Sequence, residues 1–112
     1  MAGKFEITQS KSGKFMFNLK AGNGQTILTS QMYETKASAI AGVESCKKNG
    51  ALEARFERAT SKADEPYFNL KASNGQVIGR SEMYSSAASM ENGIKSVMAN
   101  AAEAAVKDLT EA

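Results

Sequence analysis

The sequence predicts one α+β domain made of two tandem β-β-β-α units that share a single antiparallel sheet about a pseudo-twofold axis, with a helix from each unit packed on it. Three observations predict it. Sliding the 112-residue chain against itself by 51 positions aligns Phe17 to Ser45 with Phe68 to Ser96, and 16 of those 29 positions are identical. Lys14 to Lys20 alternates apolar and polar side chains at the period of a strand. Ala39, Val43 and Cys46 recur at helical spacing, as do their equivalents Met90, Ile94 and Val97.

The elements follow in order. Lys4 to Thr8, repeated at Arg55 to Ala59, reads as a first strand. Lys14 to Lys20 is a second, with Phe15, Phe17 and Leu19 on one face and Met16, Asn18 and Lys20 on the other. Asn23-Gly24, and Asn74-Gly75 in the second copy, predict a two-residue hairpin turn with both residues at positive φ, so that Thr26 to Ser30 returns antiparallel. Thr35 and Ser86 stand where a helix N-cap is needed, and the helices run to about Asn49 and Asn100. The division is residues 1–51 and 52–102 for the two units, with 103–112 as a C-terminal extension. In that extension Asn100 to Ala105 is helical by composition, whereas Val106 to Leu109 falls in register as a third instance of the first strand, and both readings stand. Two fifty-residue units would each have too small a core alone, which favours one shared core, a monomer that is internally a pseudo-dimer.

Composition excludes several classes. With 14 basic and 12 acidic residues the net charge of +2 argues for no polyanion by bulk electrostatics, although residues 1–51 carry +4 and residues 52–112 carry −2. Lys4 and Glu6 interrupt the apolar stretch a signal peptide needs, and no run approaches the roughly 18 residues of a membrane helix, so a cytoplasmic protein is expected. A single Cys and no His leave neither a disulfide framework nor the usual zinc or histidine-based catalytic sets. No cofactor and no metal site are expected. Cys46 takes the place of Val97, which marks it as a small buried hydrophobe rather than a nucleophile.

The doubled motif Phe-Asn-Leu-Lys-Ala-x-Asn-Gly-Gln, followed by Ser-x-Met-Tyr and a glycine-containing helix, is similar to that of the YegP-like family of small bacterial proteins in its duplicated form, over essentially the whole chain. The resemblance implies two β-β-β-α-β units in one sheet with exchange of the last strand, which favours the strand reading of Val106 to Leu109. It implies no assigned activity, so no catalytic or binding residue is carried over. Leu28 and Thr29 give way to Gly79 and Arg80, a departure that makes the edge of the second hairpin differ from the first.

Candidate sites are few. Met16, Asn18 and Lys20, with Tyr67, Asn69 and Lys71, form matching outward columns on which a single-stranded nucleic acid could stack and pair, although a solvated sheet face is the simpler account. Tyr33 and Tyr84 suit the rim of a pocket, or with Met32 and Met83 the staple that precedes an N-cap. The Asn-Gly loops could cradle an anion, but Asn-Gly is already a favoured hairpin turn. Serines lack a histidine base, and no catalytic residue is nominated. The expected function is a non-catalytic cytoplasmic binding or accessory module, acting on a protein partner through a sheet face or the groove between the repeats. A single-stranded nucleic-acid binder and a hydrolase of unfamiliar type are the alternatives.

Overall fold

The computed structural model describes residues 3–110; residues 1–2 and 111–112, the outer ends of the first unit and of the C-terminal extension, lie outside the described residues. In chain order the elements are β1 (Lys4–Gln9), β2 (Phe15–Lys20), β3 (Thr26–Ser30), α1 (Lys36–Asn49), a 3-10 turn (Glu53–Arg55), β4 (Phe56–Thr60), β5 (Pro66–Lys71), β6 (Val77–Arg80), α2 (Ala87–Asn100) and β7 (Ala105–Asp108). All seven strands lie in one sheet, ordered β4-β5-β6-β3-β2-β1-β7.

Six of the strands pair antiparallel, as expected, but β7 runs parallel to β1, so the sheet is mixed. The chain leaving α2 re-enters the sheet on the far side of the first unit, beside its first strand, and β1 and β7 are separated in the chain by far more than the roughly dozen residues a parallel pair needs. The tail is therefore a strand, and the last strand of the second unit sits on the first unit, as the family resemblance implied.

The hairpins differ from the expected two-residue turns. Gly24 N–H donates to the Ala21 carbonyl at 2.9 Å, Ala21 N–H donates to Gln25 at 2.9 Å, and only Gly24, at φ 86°, has positive φ. This is a three-residue loop closed by a glycine bulge, and Ala72 to Gln76 repeats it. Asn23 contributes differently from the expectation: its Oδ1 accepts from Gln25 N–H at 3.0 Å, and Asn74 does the same for Gln76. The N–H groups of Gly24 and Gln25, and of Gly75 and Gln76, are thus already bonded within their turns. Ser10 to Lys14 and Ser61 to Glu65 close in the same way.

Both helices start as read. Thr35 accepts from Ser38 N–H and Ser86 from Ser89 N–H, each at 3.1 Å. They pack on the face carrying Phe5, Phe17, Leu19, Phe68 and Leu70, all fully buried, where each large side chain contributes about 1.5–3 kcal/mol by leaving water. Each helix also reaches the other unit, α1 touching β5 and β6 and α2 touching β3, so the core is common property. The last asparagine of each helix ties down the chain that leads into a first strand. Asn49 Oδ1 accepts from Arg55 Nε at 3.0 Å, and Asn100 Oδ1 accepts from Gly3 N–H at 2.8 Å.

The pseudo-twofold axis passes through the middle of the sheet. There Thr29 of β3 pairs with Arg80 of β6, and these are each other's equivalents in the repeat. The divergent positions Leu28, Thr29, Gly79 and Arg80 therefore lie on the two central strands, not at an edge.

Candidate functional site

On the face away from the helices, one residue from each strand joins a single polar row. In register it reads Glu57, Asn69, Arg80, Thr29, Asn18, Glu6, Lys107. The six residues nominated on this face share it, but β6 and β3 stand between the columns of β5 and β2, which at ordinary strand spacing are about 14 Å apart.

Their charges are largely spent within the protein. Lys20 Nζ lies 2.9 Å from Glu6, with Lys4 on the same carboxylate at 3.3 Å, and Lys71 Nζ lies 2.9 Å from Glu57. Hydrogen bonding from Lys20 holds the Glu6 carboxyl below its ordinary value, and Lys71 and then Asn69 do the same to Glu57. Asn18 Oδ1 accepts from the Thr29 hydroxyl at 2.8 Å. In the second copy the corresponding bond is missing, because Arg80 stands in place of Thr29. The Arg80 guanidinium lies over the Tyr67 ring, 5.4 Å from its centroid, and the buried Asn69 Oδ1 has no partner.

Tyr33 and Tyr84 take a position the sequence did not disclose. Tyr33 stacks on Phe17 and Tyr84 on Phe68, with centroids 6.3 and 6.4 Å apart. Each hydroxyl end lies against a mid-helix glycine. A Cβ placed on Gly42 would collide with Tyr33 Oη, and one on Gly93 with Tyr84 Oη. The recurring helix glycines thus make room for a tyrosine of their own repeat. Burial pushes both phenols above their ordinary value. Met32 and Met83 remain exposed, so neither completes a staple.

The same tyrosines line two grooves related by the pseudo-twofold. The larger, about 570 Å3, runs between α1 and the β5–β6 hairpin. Tyr33, Ala41, Gly42 and Ser45 form one side, and Ala72, Gln76 and Ile78 the other. Its twin is about 360 Å3 and is lined by Gln25, Thr26, Ile27, Glu82 and Tyr84. No charged residue lines the larger groove, whereas Glu82 enters the smaller. The glycine and tyrosine recurrences carried the signal for these grooves, but only the fold shows that the opposite repeat supplies the second wall.

Among the described residues no three His, Cys, Asp or Glu side chains come together as a metal site. Cys46 is fully buried and its thiol is pushed up to about 12 by burial, far from the reactive range. No helix among the described residues is long and apolar enough to cross a membrane.

Comparison with known proteins agrees with this geometry. A family model described as a domain of unknown function, DUF1508, matches residues 10–57 and again 61–108. A UPF0339 protein of Shewanella oneidensis is 52% identical over 98% of this chain and 100% of its own length. UPF0339 protein YegP of Escherichia coli strain K12 is 51% identical over 98% of this chain and 100% of its own. The solution NMR structure of the Shewanella protein superposes with a TM-score of 0.91, covering 97% of this chain and 92% of that one. That of YegP from E. coli, described as a protein of unknown function, gives 0.94 at 50% identity, covering 100% and 97%. Two DUF1508 units in tandem, with about half of all residues shared along nearly the full length, establish that the chain belongs to the UPF0339 family of YegP-like proteins.

Proposed function

We propose that the chain is a non-catalytic cytoplasmic binding module that holds an extended, uncharged segment of a partner protein in the groove between α1 and the β5–β6 hairpin. The observation that carries this reading is the lining of that groove. Both repeats contribute walls, Tyr33 closes one side, and no charged side chain enters. Small residues on α1 (Ser38, Ala41, Ser45) let a ligand backbone approach the helix, and hydroxyls and the Gln76 amide offer hydrogen bonds. The open face offers less to a single-stranded nucleic acid, because Lys20 and Lys71 each face a glutamate at 2.9 Å and only one ring, Tyr67, stands beside them.

The test uses immobilised full-length protein and proteins from a bacterial lysate, with an Ala41→Trp variant that fills the groove from an exposed helix position. Glu44→Ala, on the same helix but outside the groove, is the control. A partner held by the parent and by the control, and lost by Ala41→Trp, supports the reading. Capture indifferent to Ala41→Trp would sink it.

A further inference from the structure

We propose that Arg80, backed by the Tyr67 ring, forms a binding site for a carboxylate on the open face of the sheet, at the pseudo-twofold axis. The site is independent of the groove, which lies on the helix side. Two observations converge on it. The first is a hollow of about 390 Å3 lined by Thr29, Ser30, Gln31 and their repeat equivalents Arg80, Ser81 and Glu82, so that it sits on the axis itself.

The second is the state of Arg80. Each of Lys4, Lys20 and Lys71 on this face has a glutamate within 3.3 Å, whereas Arg80 makes no ion pair among the described residues. Its one contact of this kind is with the Tyr67 ring, which supports the guanidinium from one side and leaves its five donors for another molecule. Tyr67 and Arg80 stand where the first repeat has Met16 and Thr29, so the two departures of the second copy on this face meet in one feature. Neither is required by the fold, since the first repeat makes the same strands without them.

The chemistry selects the ligand. A planar guanidinium matches a carboxylate through two parallel hydrogen bonds, and the Tyr67 ring beneath it leaves that edge open. Glu82 in the hollow and Glu6 and Glu57 along the row disfavour a phosphate group, which concentrates up to two charges at one point, more than a carboxylate group, which brings one. The carboxylate can belong to a free acid or to an acidic side chain of a polypeptide.

Isotope-labelled full-length protein titrated with sodium glutarate, and separately with the peptide Ac-Gly-Glu-Gly-Glu-Gly-NH2, distinguishes these sources. The expected result is saturable movement of the Arg80 Nε–H, the Thr29 amide and the Asn69 side-chain amide, absent with sodium chloride at equal ionic strength. Arg80→Thr, which installs the first repeat's residue, and Arg80→Gln should both abolish it, and Arg80→Lys should weaken it about tenfold by removing the fork. Tighter binding of the peptide assigns the site to polypeptide carboxylates, tighter binding of glutarate to a free acid. No movement with either probe at tens of millimolar, or movement that survives in both Arg80→Thr and Arg80→Gln, would overturn the proposal.

Discussion

Leu28 closes over Gly79 where the two repeats meet: a Cβ on Gly79 would lie 3.0 Å from Leu28 Cγ and 2.8 Å from the Thr29 carbonyl oxygen. A residue near a twofold axis packs against its own image, and two leucines cannot occupy this place at once. Duplication within one chain lets one copy keep the leucine and the other give way. The helix ends repeat the device, since a Cβ on Gly50 would lie 2.8 Å from Cβ of its equivalent Ala101. Gly79→Ala should therefore destabilise the protein by about 1–3 kcal/mol through overpacking against backbone. Leu28→Ala should cost about 2–5 kcal/mol by leaving a cavity. Urea denaturation measures both, and a neutral Gly79→Ala would show that β6 can shift to admit a methyl group.

Gly42→Ala sets two effects against each other. Helix propensity alone favours alanine by about 1 kcal/mol. The added methyl would lie 2.7 Å from Tyr33 Cζ and 3.0 Å from Phe17 Cε2, with the tyrosine ring trapped between helix and phenylalanine. The steric term should win, giving net destabilisation by thermal denaturation and a change in near-ultraviolet tyrosine dichroism. Adding Tyr33→Ala to Gly42→Ala should return the propensity gain, so that alanine at 42 stabilises in that background.

These glycines mark where sequence reasoning ran out. Strands, helices and the caps Thr35 and Ser86 were legible because each rests on local periodicity or a local hydrogen bond. The pairing of Thr29 with Arg80 was not, because nothing local says which strand of a repeat lies nearest the axis. Conflict at the Leu28 and Gly79 positions was visible as a divergence, but its steric cause needs the contact across units. Likewise the lysines of the open face looked available in sequence, and only the register that sets Glu6 and Glu57 beside them reveals their partners.

Asp64 holds φ 63°, the one non-glycine at positive φ among the described residues, at the loop position filled by Gly13 in the first repeat. The left-handed conformation costs an ordinary L-residue about 1–2 kcal/mol, and glycine returns part of that through its freer unfolded chain. Asp64→Gly should raise stability by about 0.5 kcal/mol, whereas Gly13→Val should lower it by more than 1 kcal/mol, roughly the left-handed cost. Paired urea curves decide, and an Asp64→Gly variant weaker than the parent would mean that aspartate has a stabilising local bond in this loop.

Asp108 fastens β7 to the rest of the molecule. The Thr110 hydroxyl and the Lys36 ammonium, the latter at 2.9 Å, together hold its carboxyl well below the usual aspartate range. Because the folded value lies below the unfolded one, this contribution is complete above the ordinary aspartate pKa and disappears as pH falls through the folded value. Asp108→Asn should lose it at all pH, so parent and variant should differ in stability at neutral pH and converge in strong acid. Amide exchange at neutral pH should be faster for Lys107 and Leu109 in the variant, whose N–H groups face β1, the latter donating to the Ile7 carbonyl. Unchanged exchange there would place the anchoring of β7 in its backbone pairing alone.

The two halves of the sheet end differently, and the difference predicts behaviour. Beyond β1 lies β7, while β4, the equivalent of β1, is an edge. Ile7 in β1 is 1% exposed, and its equivalent on the edge is Arg58, whose guanidinium pairs with Glu91 and Glu53. Glu91 in turn replaces Ile40 of the first repeat. Charges set on an edge strand deter a second chain from pairing there. Arg58→Ile combined with Glu91→Ile restores the apolar pair of the first repeat on an uncovered edge. The double variant should sediment as larger, concentration-dependent species than the parent, with slowed amide exchange confined to Phe56–Thr60. If it sediments like the parent while remaining folded, the Arg58 and Glu91 pair is dispensable for edge protection, and the short length of β4 is sufficient.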